Sequence, residues 1–261
     1  MNYTICIPSY DRCEIFRENT YKMLIDDNVN LNKVILFLQR EEDVKEYQKI
    51  DKNLNIQLLN TKGLTKTLVE IHKRFNEGEK IVILHDDMKR FYTLVYNKKD
   101  IELGKVSRKE FGKARTRRTL QWVINEVYTN MKNYSYGGVS LMNNPYFLGN
   151  NVSYDLRLIE GCFYCCINKK DIWCSIKSFQ NDIEQCIKFY KEEGGICRVN
   201  YVGYEYLPII TKGGQSLNKE ERKQKVKMDV DKWVKLYPKY GKMVENKREG
   251  YTFKLFRKPK F

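Results

Sequence analysis

Apolar and polar positions alternate in blocks through the first ninety residues of the chain. Four short runs of apolar, β-prone residues predict strands, at 4–8, 34–38, 55–59 and 80–84. The stretches between them predict helices, at 13–25, 41–49 and 64–76. Strands that are apolar on both faces and alternate with helices are typical of a parallel sheet covered on both sides. The pattern therefore predicts an α/β fold.

Beyond residue 90 the pattern is less regular. It predicts a long helix over 108–132, with two later helices at 179–193 and 218–235. Strand-like pieces are predicted at 135–141, 161–168 and 198–204. No linker rich in Pro, Gly or Ser divides the chain. We therefore expect one domain over 1–215, with halves at 1–90 and 91–215, and a basic appendage over 216–261.

The net charge of +15 is concentrated in two segments. Residues 216–261 hold fifteen Lys or Arg against six Asp or Glu, and residues 104–118 hold seven against one. Because the rest of the chain is close to neutral, the excess is not simply a lysine-rich composition. Concentrated positive charge favours a polyanionic partner, although two solvated faces would give the same composition.

The cysteines and the N-terminus indicate a cytoplasmic protein. No apolar run approaches the roughly 20 residues that span a bilayer, and the N-terminus lacks a signal-peptide pattern. The eight cysteines are therefore expected to be reduced thiols. Cys162, Cys165 and Cys166 lie on a predicted strand, where residues three apart face opposite sides, so they are interpreted as structural thiols rather than zinc ligands. His72 borders the apolar stripe of its helix and is also interpreted as structural.

Polar side chains follow three of the predicted strands. Ligands of open parallel sheets bind beyond the carboxyl ends of the strands, so these groups are expected to share one rim. The groups are Pro8, Ser9, Tyr10 and Arg12 after the first strand, Lys62 and Lys66 after the third, and Asp86 and Asp87 after the fourth. A second acidic pair, Asp26-Asp27, precedes a strand instead and is predicted to be a solvated turn on the opposite rim.

Each group suits one part of a nucleotide ligand. Pro8 has no N–H and ends the strand ladder, so a planar base could rest on the exposed backbone there. Lys62 and Lys66 lie at a helix start, where free N–H groups and positive charge suit a diphosphate. The adjacent carboxylates Asp86 and Asp87 repel one another unless a cation binds, and the hard ions Mg²⁺ and Mn²⁺ take oxygen ligands.

The strand ending Ile-Pro-Ser-Tyr-Asp-Arg, the glycine before the helix at 64–76 and the strand ending Asp-Asp resemble glycosyltransferases of the GT-A type, over roughly residues 1–90. The resemblance implies a Rossmann-like, mostly parallel sheet, a nucleotide-sugar half at 1–90 and an acceptor half at 91–215. It implies a nucleoside-diphosphate sugar, most often a UDP-sugar, as donor and Mn²⁺ or Mg²⁺ as cofactor. The implied roles are the metal for Asp87 and the ribose or the metal for Asp86. Pro8, Tyr10 and Arg12 would frame the base, Ser9 would be a further donor contact, and Lys62 or Lys66 would bind the phosphates.

The second half carries a further resemblance. Asn181-Asp182-Ile183-Glu184 at a helix start is similar to the acidic segment with which the family addresses the acceptor, which implies that Asp182 is the catalytic base. The chain departs from the family at His85, which stands where the Asp-x-Asp motif has its first acid.

The short basic form, with Lys212-Gly213-Gly214-Gln215 and a Tyr-Pro-containing tail, resembles phage enzymes that glycosylate modified DNA bases. The implied acceptor is a hydroxymethyl pyrimidine in DNA, or a sugar already on it. The basic segment 104–118 would then hold DNA phosphates, and the residues predicted to do so are Lys113, Arg115, Arg117 and Arg118.

Two other functions stay open. A transferase for surface polysaccharide or lipid-linked sugar would place the basic tail on an anionic membrane. The apolar residues of the tail helix, Val226, Val230, Trp233 and Val234, partly fit such a surface. A nucleic-acid-binding protein without catalysis is the third hypothesis, and the intact Asp86-Asp87 pair argues against it.

Overall fold

The computed structural model describes residues 1–96, 98–105, 107–113, 115–142, 144–173, 181–207, 219–246 and 250–259. The Lys212–Gln215 segment and the expected domain boundary at 215/216 lie outside the described residues. The strands are β1 (Thr4–Ser9), β2 (Val34–Leu38), β3 (Ile56–Leu58), β4 (Lys80–Leu84), β5 (Met88–Leu94), β6 (Arg115–Arg118), β7 (Tyr136–Ser140), β8 (Val152–Ser153), β9 (Phe163–Ile167), β10 (Cys197–Tyr206), β11 (Gly241–Asn246) and β12 (Gly250–Leu255). The helices are α1 (Cys13–Phe16), α2 (Lys22–Asp26), α3 (Glu41–Ile50), α4 (Leu64–Lys73), α5 (Lys98–Glu102), α6 (Arg108–Lys113), α7 (Leu120–Met131), α8 (Asn181–Glu193) and α9 (Lys219–Leu236), with a π-helical turn at Arg17–Tyr21 between α1 and α2.

One large mixed sheet organises the molecule, in the order β3-β2-β1-β4-β9-β7-β10-β5-β6, with β8 also paired to β10. The four strands predicted from the first ninety residues form its parallel half, which confirms that part of the sequence prediction. Strand β9 runs antiparallel to both β4 and β7, and β5 runs antiparallel to β10 and β6. Because β1 and β4 are parallel neighbours, their carboxyl ends meet at the same edge of the sheet.

Side chains of the central strands pack into two apolar clusters on opposite faces of the sheet. Ile5 and Ile7 of β1 belong to one cluster, whereas Cys6 between them belongs to the other. Successive side chains of a strand point to opposite faces, so each cluster marks one face. Cys165 and Cys166 divide between the two clusters in the same way, as expected for structural thiols on a strand.

Helix α9 packs its apolar stripe onto the face that carries Cys6. Val226, Val230 and Trp233 are at most 1% exposed and belong to that cluster. This apolar face is covered by the protein itself, so the sequence-based reason for placing the tail helix on a membrane is wrong. No helix in the described part of the chain has the length and the apolar character needed to cross a bilayer.

The prediction of one long helix over 108–132 is wrong. The described residues of that range form α6, then the strand β6, then α7. Strand β6 pairs antiparallel with β5, from Phe91 opposite Arg118 to Leu94 opposite Arg115. Thr119 then caps α7, because its hydroxyl accepts a hydrogen bond from the Trp122 N–H at 3.3 Å. Strand β5, with which β6 pairs, was not predicted from the sequence. There was therefore no reason to expect residues 115–118 to form a strand.

Asp27 is buried rather than solvated, which corrects the prediction for the second acidic pair. Its carboxylate accepts hydrogen bonds from the Leu120 N–H at 2.8 Å and from Arg117 at 2.7 Å. The side chain of Asp27 is 2% exposed, against 44% for that of Asp26. Asp27 therefore ties the end of α2 to the first turn of α7.

We expect Asp27→Ala to lower the free energy of unfolding by about 1–3 kcal/mol, since it leaves a buried N–H and an arginine without their acceptor. Asp26→Ala is the matched control and should change stability by less than about 0.5 kcal/mol, because its contact with Arg117 is a solvent-exposed pair at 3.9 Å. Urea denaturation of the two variants beside the wild type measures the difference. Equal midpoints for the two variants would contradict the structural role of Asp27.

Candidate active site

A cavity of about 980 Å³ opens where the carboxyl ends of β1 and β4 meet. Every residue that the sequence assigns to the donor, the metal or the catalytic base lines it. These residues are Pro8, Ser9, Tyr10, Arg12, Lys62, Lys66, Asp86, Asp87 and Asp182. The single rim expected from the sheet therefore exists, and α8 brings Asp182 to it from the second half of the chain.

Asp86 and Asp87 lie in the turn between β4 and β5, and Arg12 bridges them. The Arg12 guanidinium donates to Asp86 Oδ1 at 2.8 Å and to Asp87 Oδ2 at 2.9 Å. The hydroxyl of Ser9 donates to Asp86 Oδ2 and lies 2.6 Å from the hydroxyl of Tyr47. The sequence assigned Arg12 to the base of the nucleotide, whereas its contacts here are with the acidic pair.

Burial dominates the electrostatics of the acidic pair. It raises the pKa of Asp86 to about 7, although the Arg12 guanidinium acts in the opposite direction. Oδ1 of Asp87 is buried and accepts no hydrogen bond from any described residue. A buried carboxylate oxygen without a donor is costly unless a cation binds it, so the site fits a hard divalent ion at Asp87.

His85 stands where the Asp-x-Asp motif of GT-A glycosyltransferases has its first acid, and it does not supply the negative charge of that acid. The pKa of His85 is lowered, mainly because burial disfavours the imidazolium form. Its backbone N–H donates to the Cys162 carbonyl at 2.9 Å, and its carbonyl accepts from Thr20 Oγ1 at 2.7 Å. The same hydroxyl accepts from the Met88 N–H at 2.9 Å, so Thr20 fixes both ends of the turn that carries the two acids.

Asp182 faces the cavity from the first turn of α8, beside a second carboxylate. Burial raises the pKa of Asp182 to about 7, and the charge of Glu160 adds to this effect. Glu160 also lines the cavity and accepts a hydrogen bond from the hydroxyl of Tyr204. Sequence reasoning missed Glu160 because it lies in an irregular segment before β9, with no motif around it.

Basic residues form another part of the lining. Lys62 and Lys66 flank the start of α4, where Gly63 adopts a φ of 92° that residues with a side chain rarely tolerate. Arg222 of α9 lines the same cavity, together with Val226. The sequence placed residue 222 in an appendage, and only the packing of α9 against the sheet brings it to the site.

The residues expected to hold DNA lie outside the cavity. Lys113 is exposed at the end of α6, and the three arginines lie on β6 at the edge of the sheet. Arg115 stacks over Tyr92 at 4.2 Å and Arg118 over Trp122 at 4.7 Å from the ring centres. Together with the Asp27 contact of Arg117, these packing contacts anchor the arginines of β6 on the domain.

His72 is structural, as predicted. It is fully buried, and its Nε2 lies 3.0 Å from the hydroxyl of Tyr164. Its ring stacks on Trp173 with 3.2 Å between the ring centres. Burial lowers the pKa of His72 to about 3, so the ring is neutral and packs as an aromatic group.

No protein-family model and no curated protein matches the sequence. Several solved structures match the fold. Glucosyl-3-phosphoglycerate synthase of Mycobacterium tuberculosis, in complex with Mn²⁺, UDP and glucosyl-3-phosphoglycerate, matches 98% of this chain and 87% of its own, with 9% identity and a TM-score of 0.53. TarS of S. aureus matches 90% of this chain and 72% of its own, with 13% identity and a TM-score of 0.50. Mannosyltransferase PcManGT of Pyrobaculum calidifontis, in complex with GDP-Man and Mn²⁺, matches 90% of this chain and 64% of its own, with 11% identity and a TM-score of 0.51. These likenesses confirm the GT-A type fold predicted from the sequence.

Proposed function

We propose that the protein is a metal-dependent glycosyltransferase that moves a sugar from a nucleoside-diphosphate sugar to a hydroxyl group. The observation that carries the proposal is the cavity at the strand ends, which joins the acidic pair, Lys62 and Lys66 at the start of α4, and Asp182. The nucleotides and Mn²⁺ in the complexes of the structurally similar enzymes support the same donor and cofactor.

The side chains suit distinct parts of such a donor. Asp87 would hold Mn²⁺ or Mg²⁺, which supplies Lewis-acid stabilisation of the departing diphosphate. Asp86, held by Ser9, would contact the ribose or orient Asp87. The remaining donor contacts are the base for Pro8 and Tyr10 and the phosphates for Lys62 and Lys66. UDP-sugars are the donors we would test first.

Asp182 is the proposed general base. A carboxylate with a pKa of about 7 is a stronger base than an ordinary aspartate and is still ionised in a large fraction near neutral pH. It would accept the proton of the acceptor hydroxyl as that oxygen attacks the anomeric carbon, while the nucleoside diphosphate leaves. This arrangement gives inversion at the anomeric carbon.

Release of UDP from a panel of UDP-sugars in Mn²⁺, with and without acceptor, tests the proposal directly. Catalysed hydrolysis or transfer is expected for at least one sugar. If the purified protein neither binds nor turns over any nucleoside-diphosphate sugar, the hypothesis of a non-catalytic nucleic-acid-binding protein takes precedence.

For the acceptor we propose a hydroxymethyl pyrimidine in DNA, or a sugar already on it. The two basic segments support this choice because they hold the whole excess of positive charge. Arg222 supports it too, since it extends the basic surface of α9 into the cavity lining. A base in a duplex would have to leave the stack to reach this cavity. Mass spectrometry of nucleosides from hydroxymethylated DNA, incubated with protein and donor, identifies the product.

If β6 contacts DNA phosphates, Arg115→Gln/Arg118→Gln should flatten the salt dependence of duplex binding by up to about 2 units in the log–log slope. Arg117 is left unchanged because it holds Asp27. Lys49→Gln/Lys73→Gln is the matched control, since it removes the same charge from exposed positions on α3 and α4 and should leave the slope unchanged.

Titration of a labelled duplex at several salt concentrations measures these slopes. Equal slopes for the arginine variant and the lysine control would show that the arginines of β6 do not contact DNA phosphates. Tight binding of the wild type to anionic vesicles but not to duplex would favour the membrane alternative.

A further inference from the structure

Three of the four carboxylate oxygens of the acidic pair are already engaged by the protein. Arg12 holds one oxygen of each carboxylate, at 2.8 Å for Asp86 and 2.9 Å for Asp87, and Ser9 holds the second oxygen of Asp86. The fourth, Oδ1 of Asp87, is the one buried without a donor among the described residues. The pair is thus bridged by a cation that belongs to the chain.

The bridge is largely shielded from water. The side chains of Asp86 and Asp87 are 4% and 9% exposed, and that of Arg12 is 14% exposed. Charges in such a position interact strongly because water screens them little. A divalent ion that enters here adds two positive charges beside a guanidinium that already compensates one of the two carboxylates. A bound metal and Arg12 in its bridging position would therefore repel each other.

We propose that Arg12 competes with the divalent metal for the acidic pair. In the protein without nucleotide the Arg12 guanidinium holds the two carboxylates, and it leaves them when metal and nucleotide bind together. The inference rests on the metal role proposed for Asp87. It adds a rule for binding, namely that the metal alone binds weakly and the nucleotide strengthens it.

The cavity offers Arg12 a second partner. Arg12 lines the same cavity as Lys62 and Lys66, where the diphosphate of the donor is proposed to lie. A guanidinium pairs with phosphate as well as with carboxylate, through two parallel N–H···O bonds. A bound diphosphate would therefore pair with the Arg12 guanidinium when the metal replaces it at the carboxylates. The two ligands are coupled through this one side chain.

Binding of Mn²⁺ to the protein, followed by electron paramagnetic resonance without nucleotide, tests the competition. We expect Arg12→Gln to bind Mn²⁺ at least about 10-fold more tightly than the wild type, within the usual range of coupling between two ligands. The control is Arg40→Gln, which removes the same charge from the lining of the same cavity. Arg40 pairs with Asp11 and Asp43 rather than with the acidic pair, so its variant should stay within about 2-fold of the wild type.

The same titration in the presence of UDP tests the coupling. UDP should raise the Mn²⁺ affinity of the wild type by at least about 10-fold, and this gain should be much smaller in Arg12→Gln. Thermal melting gives a second readout. Without metal, Arg12→Gln should melt below the wild type because two buried carboxylates lose their cation, and Mn²⁺ should restore more stability to the variant than to the wild type.

Equal or weaker Mn²⁺ binding by Arg12→Gln, with normal binding by the wild type, would overturn the inference and make Arg12 a brace for the metal ligands. The proposed metal role of Asp87 would survive that result. Absence of Mn²⁺ binding by wild type and variant alike, with and without UDP, would remove both the competition and the metal site.

Discussion

Replacing Asp87 with asparagine is expected to lower sugar transfer by at least about 10³-fold while the fold stays intact. The substitution removes the carboxylate whose buried Oδ1 accepts no hydrogen bond from the described residues, and stabilisation of a leaving group by a metal is worth several kcal/mol. Arg12 keeps its contact with Asp86, so the side chain does not lose all its partners. Release of nucleoside diphosphate, measured at saturating donor, gives the loss.

Asp11→Asn is the matched control for this prediction. It removes a carboxylate from the loop that carries Arg12, between β1 and α1, but this carboxylate is 59% exposed and pairs with Arg40. Its activity should stay within a few fold of the wild type, and its melting temperature should match that of Asp87→Asn within a few degrees. Full activity of Asp87→Asn in the presence of EDTA would rule out the metal role.

Replacing Asp182 with asparagine is expected to lower the transfer rate by at least about 10²-fold, the usual contribution of a general base. Donor affinity should barely change, because Asp182 is proposed to address the acceptor. Glu192→Gln, at an exposed position of the same helix, should have normal turnover. Near-normal turnover by Asp182→Asn would show that Asp182 is not the general base and only stabilises the N-terminus of α8.

The pKa of about 7 at Asp182 adds two pH signatures. The base must be ionised, so the wild-type rate should rise with pH up to about 7 and then level off, whereas Asp182→Asn should lack this step. In the folded state Asp182 also keeps its proton up to about pH 7, whereas in the unfolded chain it releases the proton near pH 4. The free energy of unfolding of the wild type therefore decreases as the pH rises from about 4 to about 7. Asp182→Asn should therefore gain melting temperature relative to the wild type between pH 5 and pH 8.

The sequence by itself determined the parallel half of the fold and the polar residues that lie at the strand ends of the cavity. Continuous apolar runs such as Ile81–Leu84 are a local signal, because a strand buried on both faces has no polar positions. The rule that ligands lie beyond the carboxyl ends of parallel strands then brought Pro8, Lys62 and Asp86 to one rim without any coordinates. Asp182 was added because Asn181-Asp182-Ile183-Glu184 resembles the acidic acceptor segment of GT-A glycosyltransferases.

Only the tertiary structure decided the contacts between segments that are far apart in the sequence. Arg115–Arg118 is a strand because β5 supplies its hydrogen bonds, and Asp27 is buried because α7 begins above it. Glu160 and Arg222 reach the cavity through the packing of an irregular segment and of α9, which no local pattern encodes. Periodicity reports which face of an element is apolar, but the partner of a charged side chain depends on which elements meet. For this reason the acidic pair and Arg12 could be found from the sequence, whereas the contact between Arg12 and the pair, across 74 residues to Asp86, could be identified only in the folded chain.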